Sequence, residues 1–448
     1  MPMSGADTKD KKATFLHHLL RALRSRNYRL FVAGQSVSLI GTWMQQVAMS
    51  WLVYRLTGSA MLLGVVGFTS QIPTLFIAPL AGVLADRWDR RRLLIATQTL
   101  AMVQAAFLAF VVLTGLVQVW QIILLSLVLG IVNAFDIPVR QSFVPEMVEN
   151  REDLSNAIAL NSSMVNGARL IGPSIAGLLV ASMGEGICFL LNAISYLAVI
   201  MAIAAMRIPQ KSNPRPPRRH ILQELREGVL YAYTFAPIRS ILLLIALVSL
   251  MGMPYAVLVP VFAKEILHGG VHTFGFLMTA AGSGALVGTL FLASRKSVLG
   301  LGHIIVTATV LFATGIASFA LSTNFILSLA TLVVAGFGAM TLISSCNTVL
   351  QTILDEDKRG RVMSFFTMAF VGVGPFGSLG AGTMAGLIGP RNTLLLGSAG
   401  CLVGAAFFVR HLPQIREKVR PIYARMGIIP AAEKEKKPAA KQQPFHEE

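Results

Sequence analysis

The sequence predicts an all-α integral membrane protein with twelve transmembrane helices in two pseudo-symmetric six-helix bundles. Three observations lead there. Hydrophobic residues make up 54% of the 448 and charged residues 13%, with a mean hydropathy of +0.66. A soluble domain carries about 25% charge, so one aqueous core does not account for this composition. The chain also divides into twelve apolar runs of about 20 residues or more, bounded by charge, glycine or proline. Finally, of the 38 lysines and arginines, only Arg55, Lys264 and Arg391 fall in loops on one side and Arg169 inside a run, while all the others lie on the opposite side. That asymmetry places both termini in the cytoplasm.

The runs are too continuously apolar for barrel strands, so each is expected to be a helix, which satisfies its own peptide groups in lipid. The cytoplasmic segment 1–27 carries Phe15, Leu19 and Leu23 on one side and Arg21 and Arg24 on another, the pattern of an amphipathic helix. No small-residue cleavage site follows its first apolar stretch, so a removable signal peptide is not expected. The first bundle, 28–206, takes the runs near 30–54, 61–85, 92–114, 117–138, 155–182 and 184–206. A basic cytoplasmic linker, 207–239, opens with RIPQKSNPRPPRRH, whose prolines and cations neither continue a helix nor enter lipid. Within it Leu222, Leu225, Val229 and Tyr233 recur at helical spacing, placing 220–235 along the inner leaflet. The second bundle, 240–411, takes the runs near 240–263, 273–294, 301–321, 324–350, 361–388 and 391–411. Residues 412–448 are charged, with alanine and proline, and read as a disordered cytoplasmic tail.

The halves repeat. LIGPSIAGLL (170–179) and GVGPFGSLGAG (372–382) place Gly172-Pro173 and Gly374-Pro375 at equivalent positions six helices apart, and MLLGVVGFTSQIPTL answers TFGFLMTAAGSGALV. Many alternating-access transporters are built this way, with the substrate site between the halves near the bilayer midplane. The net charge of +17 is distributed as loops facing anionic lipid, which excludes a nucleic-acid partner. Cys188, Cys346 and Cys401 each lie within an apolar run, the setting of buried, inert thiols. No phosphate-binding G-x-x-x-x-G-K-[ST] loop, metal cluster or catalytic constellation is present in the sequence, so no enzyme and no cofactor are expected, and an ion gradient is left as the energy source.

The stretch 82–94, GVLADRWDRRRLL, packs four arginines and two aspartates between Asp86 and Arg92. It resembles the G-x-L-a-D-R-x-G-R-K/R motif of the major facilitator superfamily, matched by Gly82, Leu84, Ala85, Asp86, Arg87, Arg90 and Arg91, with Asp89 where the family has glycine. RNYRLFVAGQSVSLIGTWMQQVAMSWLVYRLTGS (26–59), NAFDIPVRQSFVPEMV (133–148) and NAIALNSSMVNGARLIGP (156–173) resemble the bacterial exporters related to the enterobactin exporter, called transmembrane secretion effectors. The resemblance covers residues 26–410. It implies that Asp86 bonds Arg90 and faces the start of helix eleven near 360–364. Gly82, Asp86, Arg87, Arg90 and Arg91 would then form a latch between the halves, which an anion at a helix N-terminus favours physically. Gly172, Pro173 and Gly177 match the antiporter motif GxxxGPxxGG, with Ala168 and Ala176 replacing two glycines, and imply a kink in helix five.

Within the spans, Arg169 is an arginine near mid-bilayer, costing about 2.5–3.5 kcal/mol unless compensated. Either a structural tie or a site role answers that cost. Asp136 faces two alternatives, pairing with Arg140 one turn on or titrating with the proton gradient. Gln35, Trp43, Gln46, Gln71, Asn166, Met251 and Tyr255 are the candidates for the substrate cavity, Met253 with them, since methionine and aromatic side chains repack around varied apolar ligands. The expectation is a monomeric, multi-pass secondary transporter of the bacterial inner membrane. It would be a proton-coupled exporter of small amphiphilic molecules of the siderophore, drug or macrolide class, with protons and anionic lipids as further partners. A nutrient or lysophospholipid importer of the same fold, or a non-transporting scaffold or receptor, stands as the alternative.

Overall fold

The computed structural model describes residues 21–208, 231, 233–295, 297–354 and 356–429, with the side chains of 78–80, 82–87, 151, 356–357 and 360 outside that description. Every expected run has its helix. They are α1 (Arg26–Thr57), α2 (Ala60–Arg87), α3 (Arg90–Leu113), α4 (Val119–Met147), α5 (Leu154–Met183) and α6 (Glu185–Ala205) in the first half. In the second half α7 has two pieces, Ala236–Met251 and Tyr255–Val261, and ends in a π turn, Phe262–Ile266. There follow α8 (Val271–Ala293), α9 (Leu301–Leu321) and α10 (Phe325–Ile353). The next, α11, runs as Glu356–Thr367, a π turn Met368–Gly372, and Gly374–Ile388, before α12 (Pro390–Arg425). Eleven of these are long and apolar enough to cross a membrane. The helix left out is α1, whose hydropathy is lowered by Gln35, Ser36, Ser38, Thr42, Gln45 and Gln46. Among the described residues there is no strand.

The helix ends are written locally. Asp89 accepts hydrogen bonds from the amides of Arg91 and Arg92 and so caps α3, which satisfies donors that a helix start leaves open. The family's glycine position is therefore filled here by a helix cap. Asn324 caps α10 in the same way. Gly184 (φ 82°, ψ 170°) joins α5 to α6 and Gly389 (φ 85°, ψ 156°) joins α11 to α12. This backbone region is open only to glycine, and its recurrence six helices apart is the repeat expressed in the turns.

The packing repeats as well. In the first half α1 lies against α5 and α6, α2 against α4, and α3 against α4 and α6; in the second α7 lies against α11 and α12, α8 against α10, and α9 against α10 and α12. The halves meet along two seams, α5 with α8 and α2 with α11. Both seams are glycine-lined. A Cβ at Gly275 would stand 2.6 Å from the Pro173 carbonyl oxygen and 2.9 Å from the Gly177 Cα, and one at Gly382 would stand 2.8 Å from the Gly64 Cα.

The apolar core shows where the halves hold together. One cluster spans both halves and draws from the first half the residues toward the face where α1 ends, among them Trp51, Tyr54, Leu63, Val66 and Val180. A separate cluster at the opposite end, including Tyr28, Phe31, Leu94, Phe143 and Ile203, contains first-half residues only. Among the described residues the halves thus share a core at the far face, whereas the cluster at the terminal face, where α1 begins and α12 ends, draws on the first half.

One expectation for the polar segments changes, and two fall largely outside the described residues. Helix α12 runs on to Arg425, so the segment 412–425 is not a disordered tail. Leu412, Ile415 and Val419 recur at helical spacing and are buried in the shared core, and Leu412 lies beside Gly302 of α9. The N-terminal amphipathic helix lies outside the described residues except for a single 3₁₀ turn, Arg21–Arg24. Of the linker helix, 220–230 and 232 also lie outside; Tyr231 stacks on Phe235 with ring centroids 6.1 Å apart.

Candidate functional site

A cavity of about 270 Å³ opens between the halves, walled by α1, α2, α7, α8 and α11. Among the described residues no ionisable side chain lines it. Of the candidates, Trp43, Gln46, Gln71 and Met253 are on its wall. Gln35, Asn166, Met251 and Tyr255 are not. Gln35 is buried, and its Oε1 has no hydrogen-bond partner among the described residues. Asn166 donates to the Ser162 carbonyl of its own helix at 3.0 Å. Met251 packs on Gly397 and Gly400 of α12, and Tyr255 meets the edge of Phe312. The wall instead recruits Ser50, Ser70, Ser249, Ser378, Phe274 and Met278. Nothing in their local sequence marks them, because a serine in a span readily bonds its own helix, as Ser70 does to the Gly67 carbonyl at 3.0 Å.

The cavity wall includes a deliberate irregularity. A π turn frees a carbonyl from the helical ladder, and Ser249 Oγ of α7 donates to the Phe370 carbonyl within that turn of α11 at 2.5 Å. Gly374 follows directly, facing Ser249. In the first half the equivalent Gly172 packs against the Trp43 side chain and the Ile40 carbonyl of α1. Helix α5 continues through Pro173, whereas α11 is interrupted by its π turn. Gly172 and Gly177 provide close approach, the latter to Gly275 and His272 of α8.

Asp136 lies away from the cavity. It is 4% exposed and accepts from Thr97 Oγ1 at 2.9 Å and Gln98 Nε2 at 2.7 Å, both on α3. Arg140 stands one turn on, its Nε 3.7 Å from Asp136 Oδ2, the helix continuing through Pro138. Nearby, Asn192 donates to Gln45 at 2.7 Å and Gln45 to Gln104 at 3.1 Å, a buried amide chain across α6, α1 and α3. Buried polar groups in a span need partners of this kind.

Arg169 is half-buried on α5. Its guanidinium stands over the Trp43 ring, 5.6 Å from the centroid, within electrostatic reach of the Tyr255 hydroxyl. Asp136, engaged by Thr97, Gln98 and Arg140, is not the partner of Arg169.

In the charged hairpin, Gly82, Asp86 and Arg87 lie among the residues whose side chains are not described. Arg90 reaches Glu146 of α4 at 2.5 Å. Arg91 donates to the carbonyls of Ile203 and Ala204 at 3.1 and 2.6 Å, a cation on the C-terminal end of α6. These contacts brace the hairpin to its own half. At the far face Arg55 forms a two-pronged pair with Glu185, at 2.8 and 3.2 Å, and the Tyr54 hydroxyl donates to Glu265 of α7, across the halves.

A two-fold helical repeat closed around a cavity at its midline defines a membrane transporter of the major facilitator type. The chain belongs to the transmembrane secretion effector family, whose model matches residues 19–427. Among its relatives, the staphyloferrin A transporter of Staphylococcus aureus is 24% identical over 85% of this chain and 96% of that protein. The multidrug efflux pump Tap of Mycolicibacterium fortuitum is 25% identical over 84% of this chain and 93% of that protein. A crystal structure of a bacterial homologue of the human lysosomal transporter Spinster superposes with a TM-score of 0.71 at 13% identity, covering 88% of this chain and 98% of that one. The protein is a multi-pass bacterial membrane transporter, not an enzyme.

Proposed function

We propose that the protein exports small amphiphilic molecules from the cytoplasm by alternating access, driven by inward proton flow. The observation that carries this reading is the uneven join of the halves. A shared core and two glycine seams hold them at the far face, while among the described residues the terminal-face cluster draws on one half alone. A cavity between two such halves is loaded from the terminal face and emptied when the seams part. The concentration of basic residues in the loops of that face supports a cytoplasmic orientation, against anionic lipid. An apolar wall with serine and glutamine side chains suits amphiphilic solutes, and the names of the relatives, a siderophore transporter and a multidrug pump, support the same substrate class. The transporter is taken to act as a monomer, with a complete cavity in one chain.

Asp136 is the proposed proton carrier. Its protonation would release Arg140 and loosen α4 against α3, the pair on which Thr97 and Gln98 hold it. Asp86 remains the proposed latch to α11, with Arg90 and Arg91 fixing the hairpin that presents it. The test is a proteoliposome assay with a trapped pH dye and an imposed proton gradient, supplied in turn with a catecholate siderophore, a lipophilic cation and a macrolide. Substrate-dependent proton movement that disappears in Asp136→Asn is the expected result. Transport without proton movement overturns the coupling, and no transport of any of the three overturns the exporter reading.

A further inference from the structure

We infer that Arg169 and Trp43 form an anion-recognition site in the translocation path, so that the cargo carries a carboxylate or another anionic group; this rests on the transporter reading above. The first argument is charge pairing in the first half. Its buried carboxylates each have a cation of their own: Asp136 has Arg140, Asp153 has Arg21 at 2.5 Å, and Glu185 has Arg55. Among the described residues no carboxylate lies within ion-pair distance of Arg169. The acidic residues whose side chains lie outside the description, Asp7, Asp10, Asp86, Glu224, Glu227, Asp355, Glu356, Asp357, Glu433, Glu435, Glu447 and Glu448, all fall outside the twelve apolar runs of the sequence. Arg169 instead sits fifteen residues into α5, about 22 Å along the helix.

Position supplies the second argument. The Arg169 carbonyl abuts Gly282 of α8, where a Cβ would stand 3.0 Å away, so this residue lies on the seam between the halves. Its guanidinium lies over the Trp43 ring, 5.6 Å from the centroid, and Trp43 is part of the cavity wall. Arg169 is not on that wall itself; it stands on the ring that is. Among the described residues the polar side chains of the cavity wall are uncharged: Gln46, Gln71, serine hydroxyls and the Trp43 indole. A guanidinium beside an aromatic ring keeps N–H donors free for a carboxylate or similar oxyanion, which its planar fork matches in two-pronged fashion. An unpaired arginine in a span marks a substrate path or a relay when no partner accounts for it. The site therefore takes an amphiphile whose apolar body enters the cavity and whose anionic group stays with Arg169.

Three probes that share one fluorophore test this: dansylglycine, its neutral methyl ester, and the cationic dansylcadaverine. Their binding to the purified full-length protein is measured by fluorescence anisotropy, and their counterflow in proteoliposomes. The wild type is expected to hold the carboxylate at least about tenfold tighter than the ester, the discrimination of one charge-assisted contact. Arg169→Gln should bring that ratio to about one while leaving ester binding in place, which also reports that the variant is folded. Arg169→Lys, which keeps the charge and loses the planar fork, should retain an intermediate ratio. A wild-type ratio near one, or a ratio unchanged in either variant, overturns the proposal. Counterflow separates it from the transport reading. Movement of the ester with no carboxylate preference refutes the anion site alone, whereas Arg169-dependent binding without movement of any probe supports the site and refutes transport.

Discussion

Replacing Gly275 with valine should wedge the far-face seam open. A Cβ there would lie 2.6 Å from the Pro173 carbonyl oxygen and 2.9 Å from the Gly177 Cα, about 1 Å inside the roughly 3.5–4.0 Å at which carbon atoms pack. The opposing atoms are backbone, so no side chain can swing aside, and the two valine methyls reach a further bond length, about 1.5 Å. Overpacking of this kind costs about 1–3 kcal/mol, and here the cost falls on the far-face-closed arrangement, in which α5 and α8 touch. The balance between arrangements should move by roughly 5- to 150-fold toward far-face opening. A cysteine at Ser50, on the cavity wall, reads this out. In oriented vesicles Ser50→Cys should react with a membrane-impermeant maleimide from the terminal face in the parent, and gain reactivity from the far face once Gly275→Val is added. Cys188, Cys346 and Cys401 are buried, which keeps the background low. Unchanged far-face labelling in a well-inserted double variant would refute the reasoning that this seam is the closed gate.

Three further outcomes follow from the same geometry. Asp86→Asn should slow transport while leaving insertion intact; unaltered flux at equal protein level removes the latch. Asp89→Ala removes the cap of α3 and should lower stability by about 1 kcal/mol with little effect on substrate affinity, as read by thermal unfolding in detergent and by binding. Truncation after residue 411 discards the buried Leu412, Ile415 and Val419, each worth about 1.5–3 kcal/mol of burial, so it should depress the unfolding temperature sharply. Truncation after 429 should leave that temperature unchanged, and equal behaviour of the two would contradict the docking of α12.

The last stretch of α12 shows what charge can hide. RHLPQIREKVRPIYAR reads as a polar tail by composition, yet its apolar residues keep helical spacing, and that spacing was legible without a structure. Asp89 was legible too, as an acceptor placed directly before a helix start. The cavity wall was harder to read. Trp43 and Gln71 were within reach because large or polar groups in a span are unusual, whereas Ser249 acquires its role only when the π turn of α11 presents the Phe370 carbonyl.

The sequence by itself determined the twelve helices, their two-fold repeat and the side that carries the cations. Each of these is enforced segment by segment, by the exclusion of charge from lipid and by the need of every peptide group for a partner within its own helix. Tertiary structure alone decided which face of each helix meets the substrate path. Gln45 and Gln46 are neighbours in one polar span, yet Gln45 is locked to Gln104 and Asn192 while Gln46 faces the cavity. Met253 lines that cavity while Met251 packs on α12. Successive residues on a helix point about 100° apart, and the rotation of each helix is set by the neighbours it packs against, which no local stretch of sequence records.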